Sequence, residues 1–341
     1  MQTARRFVFV ALFSVPGLLW LAWTPARGGS PAVVAVGPIA MTVSDADRSA
    51  DFYRRVLGFE RILDTQISGD AYERLHGLAG LRLRVVRMRL GDEALDLMEY
   101  TPRGRPIPAD SRSNDRWFQH VAIIVSDMDR AYAHLVSRRV EPVSPGPQQL
   151  PAWNPNAGGI RAFYFKDPDG HPLEILWFPA GKGDGRWQVS GERLFLGIDH
   201  TAIVVSDTSR SLACYRDGLG LRVAGESENW GLEQERLNNV VGARLRITTL
   251  RATVGPGVEF LEYVSPRDGR PIPADTRTND LAHWHTTLVT RDAKAFALAS
   301  RSGACTIASS DGVAIGRSEL GFRRASIGRD PDGHTFQLVR E

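Results

Sequence analysis

A twelve-residue segment that occurs twice constrains this chain more than any other feature. Gly104 to Asp115 reads GRPIPADSRSND and Gly269 to Asp280 reads GRPIPADTRTND; ten of twelve positions are identical at an offset of 165 residues, and both differences exchange Ser for Thr. Self-similarity at a fixed spacing means one structural design used twice. At 341 residues, 43% hydrophobic and 24% charged, the chain exceeds one ordinary core and is too apolar for disorder. Two domains are the expectation.

Each copy divides again. PIAMTVSD from Pro38, HVAIIVSD from His120, HTAIVVSD from His200 and HTTLVTRD from His285 are four short strands rich in Val, Ile and Thr, each ending in a turn signal that starts a helix. Gly58 and Gly220 supply left-handed stops after the first and third helices. β-prone runs follow, such as Leu81 to Leu90 with Ala94 to Tyr100, and Arg161 to Lys166 with Pro172 to Phe178. Each module therefore reads β-α-β-β-β. A doubly wound parallel sheet is rejected, because there are too few helices per strand and no glycine-rich phosphate loop.

Ahead of the modules, residues 1–28 read as an export signal, with Arg5 and Arg6 before an apolar run from Phe7 to Trp23 and small residues near Ala26 and Gly28. An uncleaved membrane anchor is the lesser reading. The expected location is the periplasm or the exterior, with membrane contact only through the leader. The formal charge of +3 falls to zero without Arg5, Arg6 and Arg27, and no basic run interleaved with aromatics occurs, so nucleic acid is set aside as a partner. Cys214 and Cys305 fall on different modules and are expected as two buried free thiols.

Side chains on a strand alternate faces. In the second module Val121, Ile123 and Val125 suit the face that meets the helix, which leaves His120 on the opposite, concave face; the same logic places His200 and His285 there, with Pro38 at the equivalent place in the first module. The last strand of each module carries one polar residue in an apolar run: Asp96, Glu174, Glu259 and Gln337. A carboxylate there is costly to bury unless paired or bound to a cation, and imidazole with carboxylate is a common donor set for zinc, iron, nickel or manganese. In the second half His200, Glu259, His285 and Gln337 fill all four matching places, so a divalent ion is expected among them. The first half offers Asp96, His120 and Glu174 only, a weaker set.

These residues, with FYRRVLGF from Phe52, FYFKDPDGHPLEIL from Phe163 and GRDPDGHTFQLV from Gly328, resemble the vicinal oxygen chelate superfamily, which includes glyoxalase I, methylmalonyl-CoA epimerase, extradiol dioxygenases and bleomycin-resistance proteins. The resemblance covers nearly all of Val36 to Glu341. It implies an α+β fold in which four βαβββ modules pair into two cup domains, roughly residues 33–182 and 190–341, joined at Gly181 to Gly185. It also implies a divalent ion held by His200, Glu259, His285 and Gln337 in the second cup, acting as a Lewis acid on a small substrate with adjacent oxygens, with a ligand carboxylate such as Glu259 as base. The expected activity is a metal-dependent lyase or isomerase. Ring cleavage by an extradiol-type dioxygenase, and binding of a small molecule without chemistry, are the alternatives.

Other residues read as structural. His171 and His334, in two Asp-Pro-Asp-Gly-His turns, are expected to face solvent. The GRPIPAD segments are extended connectors whose Arg112 and Arg277 are candidates for an anionic substrate. Glu99 and Glu262 lie on the opposite strand face from Asp96 and Glu259, solvated or paired with arginine. Trp153, Tyr100, Phe178 and Tyr263 are candidates for cup walls or core.

Overall fold

A computed structural model describes residues 32–188, 191–291, 303–309, 311–316 and 318–340. The leader lies outside the described residues, as does the segment 292–302, where the fourth module's helix is expected. Among the described residues no helix is long and apolar enough to cross a membrane.

The first module comprises β1 (Ala35–Thr42), α1 (Ala46–Leu57), β2 (Glu60–Ser68), α2 (Asp70–His76), β3 (Arg82–Leu90) and β4 (Glu93–Thr101). The second has β5 (Gln119–Val125), α3 (Met128–Ser137), two short strands β6 (Glu141–Pro142) and β7 (Gln148–Gln149), β8 (Arg161–Lys166) and β9 (Pro172–Trp177). The third has β10 (Phe195–Val205), α4 (Thr208–Leu212) continued by a π-helical turn, β11 (Arg222–Trp230), α5 (Leu232–Asn238), β12 (Arg244–Arg251) and β13 (Gly257–Ser265). The fourth shows β14 (Trp284–Thr290), β15 (Thr306–Ile307), β16 (Val313–Ala314), β17 (Arg324–Arg329) and β18 (Thr335–Arg340). The short helices α2 and α5 of the first and third modules are additions to the expected pattern.

The turn signals act as read. Asp45, Asp127 and Asp207 cap their helices, each carboxylate accepting from the backbone N–H three residues on at 2.9–3.0 Å. Glu99 and Glu262 pair with arginine as expected, with Arg103 at 3.5 Å and Arg246 at 3.1 Å, and each also accepts from the first N–H of the helix in its own module, Ala46 and Thr208, at 3.1 Å, which ties the last strand to the helix start.

The modules do not pair within a half. One sheet runs β15-β17-β18-β14-β1-β4-β3-β2, joining the fourth module to the first, and the other runs β11-β12-β13-β10-β5-β9-β8-β6, joining the third to the second. In each sheet the seam is an antiparallel pairing of two first strands, β1 with β14 and β10 with β5. The repeat units of the sequence are therefore not the units of the sheets.

Strand alternation sorts the side chains as expected. Ile39 and Met41 of one sheet and Val121 and Ile123 of the other enter one core shared by α1 and α3, while Ala40, Ala122 and Ile124 face the cups. Rings such as Tyr53 and Phe165, 0% exposed, each contribute about 1.5–3 kcal/mol of burial. A second shared core collects Ile203, Tyr215, Phe260, Leu288 and Phe336 from the third and fourth modules. Cys214 and Cys305 meet inside it and form a disulfide, so the expectation of free thiols is corrected. Module membership separated the two residues, but the shared core brings their modules face to face.

The repeated connectors clasp each other. Arg105 donates to Asp280 and Asp275 at 2.7 and 2.8 Å, and Arg270 donates to Asp115 and Asp110 at 2.7 and 2.6 Å, the same contacts related by an approximate two-fold. Glycine is required where the strands cross, because a Cβ on Gly104 would strike the Asn279 carbonyl and one on Gly269 that of Asn114. Arg112 pairs with Asp268 at 2.8 Å. The same two-fold relates His171 and His334, which are buried rather than solvent-facing: their Nε2 atoms lie 2.9 and 2.7 Å from the carbonyls of Leu281, in the turn before β14, and Val204, on β10. The tight turns point inward because the sheets meet through these faces.

Candidate metal centre

The sheet pairing decides which chemistry-bearing side chains converge. In the sheet of modules two and three, Glu174 is in register with Ala122, His200 with Ala122, His120 with Ala202, and Glu259 with Ala202. Register partners share a face, so all four project into one cup. His120 Nε2 lies 3.2 Å from Glu174 Oε2, and His200 Nε2 lies 3.8 Å from that oxygen and 3.4 Å from Glu259 Oε1. Candidate ligand atoms of His120, Glu174 and His200 all fall within 4.8 Å of one another.

The expected set of His200, Glu259, His285 and Gln337 is thus divided. His200 and Glu259 join His120 and Glu174, while His285 and Gln337 lie in the other sheet with Asp96 and Pro38. The weaker first-half set of Asp96, His120 and Glu174 is divided likewise. Each residue faces a cup as expected; the partners differ because the modules pair across the halves.

Several further residues complete this cup. Asp199 Oδ2 lies 2.9 Å from His200 Nδ1, while its Oδ1 accepts from Trp187 Nε1 at 2.8 Å and Arg251 Nη2 at 2.7 Å. Thr249 donates to Glu259 Oε2 at 2.6 Å. The Tyr164 ring sits 4.8 Å from that of His120. The signal for Asp199 was in the chain: of the three strand-opening histidines, only His200 follows an acidic residue.

The donor chemistry fits a divalent cation. Both nitrogens of His120 and Nε2 of His200 are buried without a hydrogen-bond partner among the described residues. Such groups are costly to bury unless something fills their lone pairs. Three carboxylates, Asp199, Glu174 and Glu259, surround the imidazoles, and the guanidinium of Arg251 pairs with one of them, Asp199, leaving an excess of negative charge. Burial pushes the His200 pKa down, but Glu259, Asp199 and Glu174 outweigh it and raise it to about 9. The cluster holds a proton where a metal ion would supply charge instead. An imidazole whose other ring nitrogen is fixed by a carboxylate is the usual form of a metal-ligating histidine. The cavity beside these residues encloses about 630 Å³ and is lined by polar groups including Asn156, Ser227 and Asn229 as well as Leu150, Leu176 and Phe178.

The other cup offers a different set. Arg87 donates to both oxygens of Asp96 at 2.7 and 2.9 Å, so that carboxylate is already satisfied. Pro38 has no side-chain donor. Burial, with His283 and His76 nearby, pushes His285 well below its ordinary pKa. Of the remaining aromatics, Tyr100 packs in this cup's core beside His76, Phe178 and Tyr263 pack in the cup of His120 and His200, and Trp153 is exposed, tilted against Trp230 with ring centres 4.0 Å apart.

Comparison with known proteins agrees with this architecture. The sequence profile of the glyoxalase/bleomycin resistance protein/dioxygenase superfamily matches residues 35–175 and again 197–338. A 2-epi-5-epi-valiolone epimerase from Actinomyces sp is 35% identical over 159 residues, 45% of this chain and 84% of that protein. Glyoxalase I from Zea mays superposes with a TM-score of 0.56 at 15% identity, covering 90% of this chain and 92% of that one. A putative dioxygenase from Bacillus subtilis subsp. subtilis str. 168 gives 0.54 at 14% identity over 91% and 86%. At such identities these two structures speak to the fold alone.

Proposed function

The chain belongs to the glyoxalase/bleomycin resistance protein/dioxygenase superfamily, and from that premise we propose that it is a metal-dependent epimerase of a small substrate with neighbouring oxygens. The observation that carries this reading is the convergence of His120, Glu174, His200 and Glu259 in one cavity, with both nitrogens of His120 and Nε2 of His200 lacking a hydrogen-bond partner among the described residues. The epimerase relative and the polar cavity wall support it.

His120, Glu174 and His200 would hold the cation. When bound, it supplies Lewis acidity toward the substrate oxygens, stabilising the negative charge that builds as the adjacent C–H loses its proton. Glu259 takes that proton. Its side chain is 15% exposed against 6% or less for the other three, and Thr249 fixes its second oxygen. Return from the same carboxylate would restore the original configuration, so inversion requires a proton carrier from the partner module. Glu174 occupies the equivalent place on β9. The apolar walls of Leu150, Leu176 and Leu261 limit water at the reacting carbon.

The test is proton exchange in D₂O, followed by NMR, with 2-epi-5-epi-valiolone and metal-reconstituted protein. Exchange with inversion is expected, and Glu259→Gln should slow it by about 10²–10⁴-fold, the ordinary range for a positioned base. Undiminished exchange after that substitution, or after chelation, refutes the proposal. Oxygen uptake with a catechol would point to ring cleavage, and binding without exchange to sequestration. Export is part of the same proposal: a buried cystine persists in oxidising compartments, and cell fractionation tests it.

A further inference from the structure

The cup of the first and fourth modules matches the metal cup position by position. The register that sets Thr249 opposite Glu259 sets Arg87 opposite Asp96, and the register that places His200 two residues before Ala202 places Pro38 two before Ala40. His285 answers to His120 and Gln337 to Glu174. Two exchanges remove the cation's place: a ligand becomes proline, and a threonine that left its carboxylate charged becomes an arginine that neutralises it.

The space itself remains. The cup encloses about 360 Å³, within the size range of small-molecule sites, and Val85, Met98, Val289 and Phe322 give it apolar walls. Three polar groups are left without partners among the described residues. Arg87 uses Nε and Nη2 on Asp96, leaving Nη1 free; the Gln337 amide, 5% exposed, makes no hydrogen bond; and His285, 3% exposed, has a buried Nδ1 with none. A nine-tenths buried polar side chain with no partner, lining an apolar cavity, is a demand for a ligand.

We propose that this second cup is a metal-independent binding site for a small, neutral, largely apolar molecule carrying a carbonyl oxygen, in which the Arg87 guanidinium takes the place of the cation. Arg87 Nη1 and the Gln337 amide donate to the carbonyl, and the apolar walls enclose the rest. Neutrality follows from the charges: Arg87 and Asp96 cancel, so the cup offers no net attraction to an anion.

The test uses the full chain treated with EDTA and cyclohexanone as a neutral ketone probe, with cyclohexanecarboxylate as its anionic counterpart, followed by ligand-observed NMR. Saturable cyclohexanone binding is expected without metal, unchanged in His200→Ala. Met98→Trp fills the cavity and should weaken binding at least tenfold. Arg87→Lys, which keeps a cation beside Asp96 but loses the forked donor, should weaken it severalfold while circular dichroism stays that of wild type. The proposal is overturned by absence of saturable binding, by loss in His200→Ala with retention in Met98→Trp, by insensitivity to Arg87→Lys, or by tighter binding of the carboxylate than of the ketone.

Discussion

Replacing Asp199 by Asn tests the metal centre at a residue that need not touch the metal. In the wild type, Asp199 Oδ2 accepts from His200 Nδ1 at 2.9 Å, so the proton that a cation would displace is the one on Nε2, which faces Glu174 and Glu259. Oδ1 is committed to Trp187 and Arg251, both of which only donate. An asparagine must therefore keep its carbonyl toward Trp187 and Arg251 and turn its NH₂ toward His200. That orientation favours the tautomer with the proton on Nε2, which no longer ligates. Loss of such an orienting partner costs about 10–100-fold in metal affinity, or about 1.4–2.8 kcal/mol. Titration calorimetry of Zn²⁺ or Mn²⁺ into EDTA-treated protein measures it, with circular dichroism as the folding control. A dissociation constant within threefold of wild type would show that Asp199 does not set the tautomer.

Three further outcomes follow from the packing. His171→Ala leaves Asp167 as a buried charge whose partner was 2.9 Å away, both side chains being 0% exposed, and should cost about 3–5 kcal/mol in urea denaturation; a loss below about 1 kcal/mol contradicts the pairing. Burial lowers the His76 pKa from 6.5 to about 4, so its neutral form supports the fold above pH 6.5, and stability is lost on the order of 3 kcal/mol as the pH falls from 6.5 to 4. His76→Phe should flatten that part of the stability curve, and identical pH slopes in the two proteins would refute it. Cys305→Ala opens a loop spanning 91 residues in sequence and should lower the unfolding free energy by about 2–4 kcal/mol, an effect that dithiothreitol should reproduce on the wild type and not on the variant.

Strand alternation made the faces legible in the sequence: His120, His200, Glu174 and Glu259 could be assigned to a cup because their apolar neighbours had to meet a helix. The choice of partners was not legible. All four first strands have similar character, so either seam satisfies their hydrogen bonds, and strand pattern alone does not choose between them. Arg105 with Asp280 and Arg270 with Asp115 lie inside the repeated segment, yet each pairs across copies, which repetition alone does not reveal. The burial of His171 and the pairing of Cys305 are hidden from the sequence for the same reason. A turn or a thiol is buried according to which module sits above it, and that is a property of the pairing.

Because each cup takes one module from either half of the chain, synthesis of the first half alone leaves the edges of β1 and β5 bare, with nothing to receive them. A nascent chain in that condition is a ready template for a second nascent chain. Two such halves from separate molecules have the right parts to complete both cups together, so the present protein has the plan of a fused pair. Cutting at residues 181–185 should consequently yield fragments neither of which finishes a cup as a monomer, so that each must pair, with the other half or with a second copy of itself.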